Sequence, residues 1–175
     1  MKKIIVIGCP GSGKSTFAKK LNKILNIPVI HLDLIWNKGD KTTITREEFD
    51  AKLIEIFNME SWIMDGNYQR TIEKRVENCD TVFLLDYSLE ICLSGAYSRV
   101  GQKRDDMPWT ENALNENFKQ FIIKFSEENL PEIYKILDKY NGQKNIIILK
   151  NREEADWYLN FLENKSLENN RIKFN

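Results

Sequence analysis

The chain is short of the residues that build transition-metal sites and carries no charge imbalance. Its single histidine, His31, and its three cysteines, Cys9, Cys79 and Cys92, odd in number and without zinc-type spacing, assemble no convincing Cys/His cluster. Thiols of this kind suit burial in a reducing cytosol. Lysine plus arginine equals aspartate plus glutamate at 26 each, so no global basic field exists to hold duplex nucleic acid or an anionic membrane. No apolar run approaches the roughly 20 residues of a membrane span. The opening MKKIIVIGC resembles a secretion signal, but Pro10 and a glycine loop cut its apolar run below the about 7–15 residues that a signal core needs. A cytoplasmic, soluble protein is the expectation, and 175 residues suit one domain.

What the chain does have is alternation. Short apolar runs at Lys3–Ile7, Pro28–Leu32, Trp62–Met64, Thr81–Leu85 and Asn145–Leu149 read as buried strands. Helical spacing separates them: Phe17, Leu21 and Leu25; Phe49, Leu53 and Phe57, with Thr45 and Glu48 as a capping box; Leu89, Cys92, Ala96 and Val100, with Ser88 as a cap. Leu114, Phe118, Ile122 and Phe125 mark a further face, then Ile133, Ile136 and Tyr140 behind Pro131, and last Ala155, Tyr158 and Leu162. The class is α/β, a parallel sheet covered by helices. The domain spans residues 1–163, and the polar tail 164–175 reads as frayed or loosely docked. Asp33–Thr43 and Gly101–Thr110 are longer connections on the ligand-binding edge of the sheet, read as the movable parts, the second as a lid.

The strongest signal is GCPGSGKS at Gly8–Ser15, placed where the first strand stops and a helix begins. Gly8, Gly11 and Gly13 allow the backbone amides around Pro10, Ser12 and Thr16 to wrap a polyphosphate, and the helix start adds its positive end. Lys14 supplies a point charge for the outer phosphates, and the Ser15 hydroxyl is placed to ligate a magnesium ion.

The candidate chemistry lies at strand ends. Asp33, in HLDLIW, faces the loop's crevice, where it holds a magnesium-bound water or orients an acceptor hydroxyl. Asp65, in WIMDGNYQRT, puts a second carboxylate beside it, and paired carboxylates suit magnesium. Gly66 allows close approach, with Asn67, Tyr68 and Arg70 as acceptor contacts. Asp86 reads as a cap or turn residue. Arg99 and Arg104, in SRVGQKRDDMP, are cations that a closing lid brings to a transferring phosphoryl group, with Gly101 as the hinge. His31 is given no chemistry. Trp36 and Trp109 either stack on a ligand or simply pack.

Together, GCPGSGKS, HLD, MDG and the arginine-bearing lid resemble the adenylate kinase-like branch of P-loop kinases, and more narrowly the bacterial family named for DNA topology modulation. The likeness runs from Met1 to about Leu162, carried by GCPGSGKSTFAKKL, HLD, WIMDGNY, LLDYSLEICL and RDDM, of which WIMDGNY and RDDM are the specific parts. It implies a P-loop NTPase three-layer sandwich with strand order 2-3-1-4-5. It also implies ATP as donor, magnesium held through waters by Asp33 and Asp65, and lid arginines at Arg99 and Arg104. Two departures stand out. Nucleoside monophosphate kinases carry Asp-Gly-Phe-Pro-Arg after the third strand, whereas here Asn67 and Tyr68 replace Phe-Pro and Arg70 falls one residue late. Gly95 stands where relatives place a basic residue.

The reading is therefore an ATP- and Mg2+-dependent phosphotransferase acting on a small-molecule or nucleotide acceptor, as a monomer or homodimer. The competing reading is a nucleotide-binding switch with little catalysis that acts through a protein partner. The charge balance argues against direct binding of duplex DNA.

Overall fold

The computed structural model describes residues 1–172. At its centre lies a parallel sheet of order β2-β3-β1-β4-β5, built from β1 (Lys3–Gly8), β2 (Val29–His31), β3 (Trp62–Asp65), β4 (Thr81–Leu85) and β5 (Asn145–Leu149). Every residue of β3 and β4 is buried, and so is β1 from Ile4 onward. Successive strand residues point to opposite faces, so burial without alternation means both faces are covered. The edge strands β2 and β5 are only partly buried.

Helix α1 (Lys14–Leu25) packs against β1, β3 and α8 (Arg152–Ile172). A second run of helix contacts joins α4 (Ile72–Asn78), α7 (Leu130–Lys139), α6 (Glu116–Glu128) and α5 (Leu89–Tyr97). The order and class match the expectation from sequence. α3 (Arg46–Phe57) begins with the expected capping box: the Glu48 amide donates to Thr45 Oγ1 at 3.1 Å and the Thr45 amide to Glu48 Oε2 at 2.8 Å. Among the described residues no helix is long and apolar enough to cross a membrane.

Several expectations need correction. The second strand ends at His31, because α2 (Leu32–Trp36) starts at once. The Asp33–Thr43 connection therefore begins as helix, up to Trp36, and the rest is a loop pinned by a Trp36–Ile44 hydrogen bond and an Asn37–Thr43 bridge. Ser88 sits at the start of α5 without a capping bond from its side chain, and α5 ends at Tyr97, short of Val100. Leu114 precedes α6, which Asn115 caps through its side chain. The polar segment after Glu163 continues α8 to Ile172 rather than fraying at once; residues 173–175 lie outside the described part. A 3-10 turn (Gln69–Thr71) leading into α4 was not foreseen.

Candidate active site

The chain leaves β1 through Gly8, Gly11 and Gly13 at φ of 144°, 86° and 93°, conformations that side chains resist. Close packing adds a second demand: a Cβ on Gly11 would stand 1.9 Å from the Cys92 carbonyl oxygen in α5. A Cβ on Gly95 would lie 2.0 Å from the Gly11 carbonyl oxygen. The position at which a basic residue was expected thus has no room for any side chain, since α5 lies directly on the loop.

Two cavities meet this loop. One, of about 390 Å³, is lined by Gly11, Ser12, Gly13 and Thr16, with Arg99 from the end of α5 and Arg152 from α8. The Ser12 hydroxyl is buried there without a hydrogen-bond partner among the described residues, the state expected of a group that awaits a phosphate oxygen. The other, of about 550 Å³, is lined by Pro10, Lys14, Ser15, Asp33, Asp65, the Gly66–Gln69 turn, Arg99 and Arg104. Arg99 lines both.

Lys14 is 8% exposed and donates to the Cys9 carbonyl at 3.0 Å. Burial lowers its pKa, Asp65 opposes that shift, and Arg99 reinforces it. Asp33 lies in the first turn of α2, where Tyr68 Oη donates to its Oδ1 at 2.8 Å. Burial raises the Asp33 pKa and Asp65 adds to this, while the Tyr68 bond works against them. Asp65 ends β3 directly opposite His31 of β2, and its Oδ2 lies 2.8 Å from His31 Nδ1.

The segment expected to be a lid brings Arg104, which lines the larger cavity, into the same place. Arg104 holds Asp106 in a two-pronged ion pair at 2.9 and 3.0 Å and reaches Glu111 at 3.2 Å. Burial alone would raise the Asp106 pKa; hydrogen bonds from Arg104 and Ser15, and the Arg104 charge, outweigh it and keep the carboxyl well below the usual range. His31, Asp65 and Asp106 bring one ligand atom each to within 4.8 Å of one another. With Ser15 and Asp33 nearby, this is mostly oxygen chemistry, which fits a hard cation such as magnesium.

Of the residues expected at the site, Arg70 stands apart. It is exposed and forms a two-pronged pair with Asp50 of α3 at 2.9 and 2.8 Å, away from both cavities. Asn67 turns its Oδ1 toward the Gly8 amide at 3.4 Å. Trp36 packs edge-on to Phe49 and near Tyr68, so it serves the core rather than a ligand. Asp86 accepts from Tyr134 Oη at 2.7 Å and from Lys150, tying the strand end to α7 and β5.

The adenylate kinase of Buchnera aphidicola subsp. Baizongia pistaciae is 30% identical to this chain over 199 aligned positions, covering 97% of the chain and 89% of that protein. That of Wigglesworthia glossinidia brevipalpis is 30% identical over 167 positions, covering 82% and 77%. The chain belongs to the adenylate kinase-like P-loop kinases. Among solved structures, a shikimate kinase from Acinetobacter baumannii in complex with shikimate shares the fold at a TM-score of 0.63 and 17% identity, covering 97% of this chain and 94% of that one. A deoxyadenosine kinase from M. mycoides with bound dATP does so at 0.58 and 18%, covering 94% and 98%. No protein-family model matches the chain.

Three residues of this P-loop kinase escaped the sequence reading, and a fourth, His31, was read there but given no chemistry. Asp106 and Glu111 sit beside Arg104, and RDDM held the hint that an acid rides with the lid arginine. His31 gave a weaker hint, its place two residues before Asp33. Arg75 of α4 gave none. It is fully buried and donates to the carbonyls of Gly66 at 2.8 Å, Asn67, and Tyr68 at 3.2 Å, fixing the turn that lines the larger cavity. Burial lowers its pKa to about 10.

Proposed function

We propose that the chain transfers the γ-phosphate of ATP, bound with Mg2+, to a small-molecule or nucleotide acceptor seated in the cavity of about 550 Å³. One observation carries this reading: Arg99 lines both cavities, and Lys14 and Ser15 stand in the wall of the second, so donor and acceptor would meet at the loop.

The loop amides and the Ser12 hydroxyl would bind the polyphosphate, and Lys14 would leave the Cys9 carbonyl for the outer phosphates. Ser15, with Asp33 and Asp65 through waters, would hold a magnesium ion, which neutralises phosphate charge when bound. Arg99, with Arg104 from the lid, would stabilise the charge that spreads over the transferring oxygens. Asp33 would orient the attacking group.

The test is ADP release from Mg·ATP with and without an acceptor panel. A stimulated rate is expected. Lys14→Ala should lower it by on the order of 10²–10³-fold while leaving the folded spectrum intact, and full activity in that variant would sink the reading. Tight ATP binding with no stimulated turnover would favour the regulatory switch instead. The narrower kinship to the DNA topology modulation branch rests on WIMDGNY and RDDM, which supply much of the acceptor wall and lid.

A further inference from the structure

We infer that the acceptor carries no phosphate of its own and is a nucleoside-class molecule, presenting a hydroxyl to Asp33 and a planar, N–H-bearing ring to Gln69 and the Phe118–Phe121 face. This rests on the kinase reading above and narrows its acceptor.

Charge comes first. The cations lining the acceptor cavity, among the described residues, are Lys14, Arg99 and Arg104. Lys14 and Arg99 stand at the loop, where the donor's phosphates need them. Arg104, paired with Asp106 and Glu111, is the cation assigned above to the transferring phosphoryl group, so it too belongs to the donor's phosphates. The two arginines that follow β3 are turned elsewhere, Arg70 to Asp50 and Arg75 to backbone carbonyls. Against these cations the wall sets Asp33, Asp65 and Glu111. A phosphomonoester in such a cavity would be desolvated next to carboxylates without a cation of its own to pair with.

The polar fittings that remain suit a neutral molecule. Gln69 Oε1 is buried in the acceptor wall with no hydrogen-bond partner among the described residues. A buried amide oxygen is costly to leave unmade, and a ligand N–H completes it once the Gln69 side chain turns toward the cavity that the residue lines. In the lining of the same cavity, Phe118 and Phe121 from α6 lie 6.4 Å apart at 22°, and Phe121 is 38% exposed. These faces offer a flat apolar seat to a ring. Tyr68 occupies Asp33 Oδ1, and Oδ2 has no hydrogen-bond partner among the described residues to keep it from a hydroxyl. The acceptor oxygen bonds to Pγ as the bond from Pγ to the β,γ-bridging oxygen breaks. ADP leaves with that electron pair, and the hydroxyl proton passes to Asp33.

The test uses the full chain with Mg·ATP and compares ribonucleosides and deoxyribonucleosides with their 5′-monophosphates. At least one nucleoside should be phosphorylated with kcat/KM at least tenfold above its monophosphate. Gln69→Leu should raise the nucleoside KM about tenfold without changing that of ATP, and Gln69→Glu, which keeps an oxygen acceptor, should recover part of the loss. A monophosphate that outperforms its nucleoside, or a Gln69→Leu variant with unchanged nucleoside KM, overturns the inference and leaves the kinase reading standing. If ATP binds and no compound stimulates ADP release, the kinase reading falls. Calorimetry on the same compounds then tests the ligand class of the cavity alone: nucleoside binding with weaker monophosphate binding keeps the nucleoside assignment for the ligand though not for an acceptor, and the reverse, or no binding, removes it.

Discussion

On the function proposed above, the donor and acceptor sides of the P-loop are built in opposite ways. The donor side is mostly backbone from one contiguous stretch, Gly8–Thr16, shaped by three glycines at positive φ, of which Gly11 lies against α5 and Gly8 against Leu85 of β4. The acceptor side is mostly side chains, drawn from β3, α2, the lid and α6 and held in place by buried polar contacts. Backbone geometry tolerates no substitution but is generic, whereas side-chain geometry is adaptable and specific. Shared chemistry thus resides on the donor side, and the identity of the acceptor on the other.

If that contrast is right, damage to the acceptor scaffold should leave ATP binding alone. Arg75→Met gives the largest effect. It removes a guanidinium that serves three carbonyls in a fully buried place, leaving those of Gly66 and Asn67 without a donor among the described residues, while the Tyr68 carbonyl keeps the Thr71 amide and hydroxyl. The loss is partly offset because a buried charge, with its Nε unpartnered, no longer has to be desolvated. A net destabilisation of about 3 kcal/mol is expected, read by denaturant unfolding, with acceptor KM raised and ATP affinity little changed. Equal loss of ATP and acceptor binding would break the contrast.

The reverse experiment is Gly95→Ala. Its Cβ meets a backbone oxygen of the loop at 2.0 Å, so the loop itself must shift. Overpacking of this kind costs about 1–3 kcal/mol, and ATP affinity should fall by roughly tenfold or more if that strain is relieved by moving the loop. Titration with ATP checks it, and unchanged affinity would mean that α5, not the loop, gives way.

These variants also show why the two sides differed in legibility. The loop, the strands and the Thr45–Glu48 cap are local patterns, each readable within a few residues. α4 was not, because IEKRVEN is short, carries few apolar residues and buries its arginine. Sequence rules place a charged residue outside by default. The pairing of His31 with Asp65 arises from strand register, and that of Arg104 with Asp106 and Glu111 from the path of the lid. Neither has a period or spacing that announces it.

A smaller effect tests the electrostatics of the acceptor wall. The folded Asp33 pKa is raised, so its carboxylate is lost on acidification sooner than an ordinary aspartate would be, and an acid limb should appear in kcat/KM. The Tyr68 hydroxyl opposes that rise by bonding to the charged form. Tyr68→Phe should therefore move the acid limb to higher pH. A limb that stays put would mean that the titrating group is not Asp33.

The smallest effect is expected at Arg70, where kinship and geometry point in different directions. Nucleoside monophosphate kinases place an arginine after the third strand, and here Arg70 falls one residue late, onto the outer surface. Its pair with Asp50 is well formed, but the side chains remain 44% and 38% exposed, so solvent screens most of the attraction. Arg70→Ala should change stability by no more than about 0.5 kcal/mol and leave both KM values within twofold. A large rise in acceptor KM alone would mean that Arg70 releases Asp50 and swings inward when the acceptor binds. The acceptor side would then have a cation that the closed ion pair conceals, and a phosphorylated acceptor would regain its place.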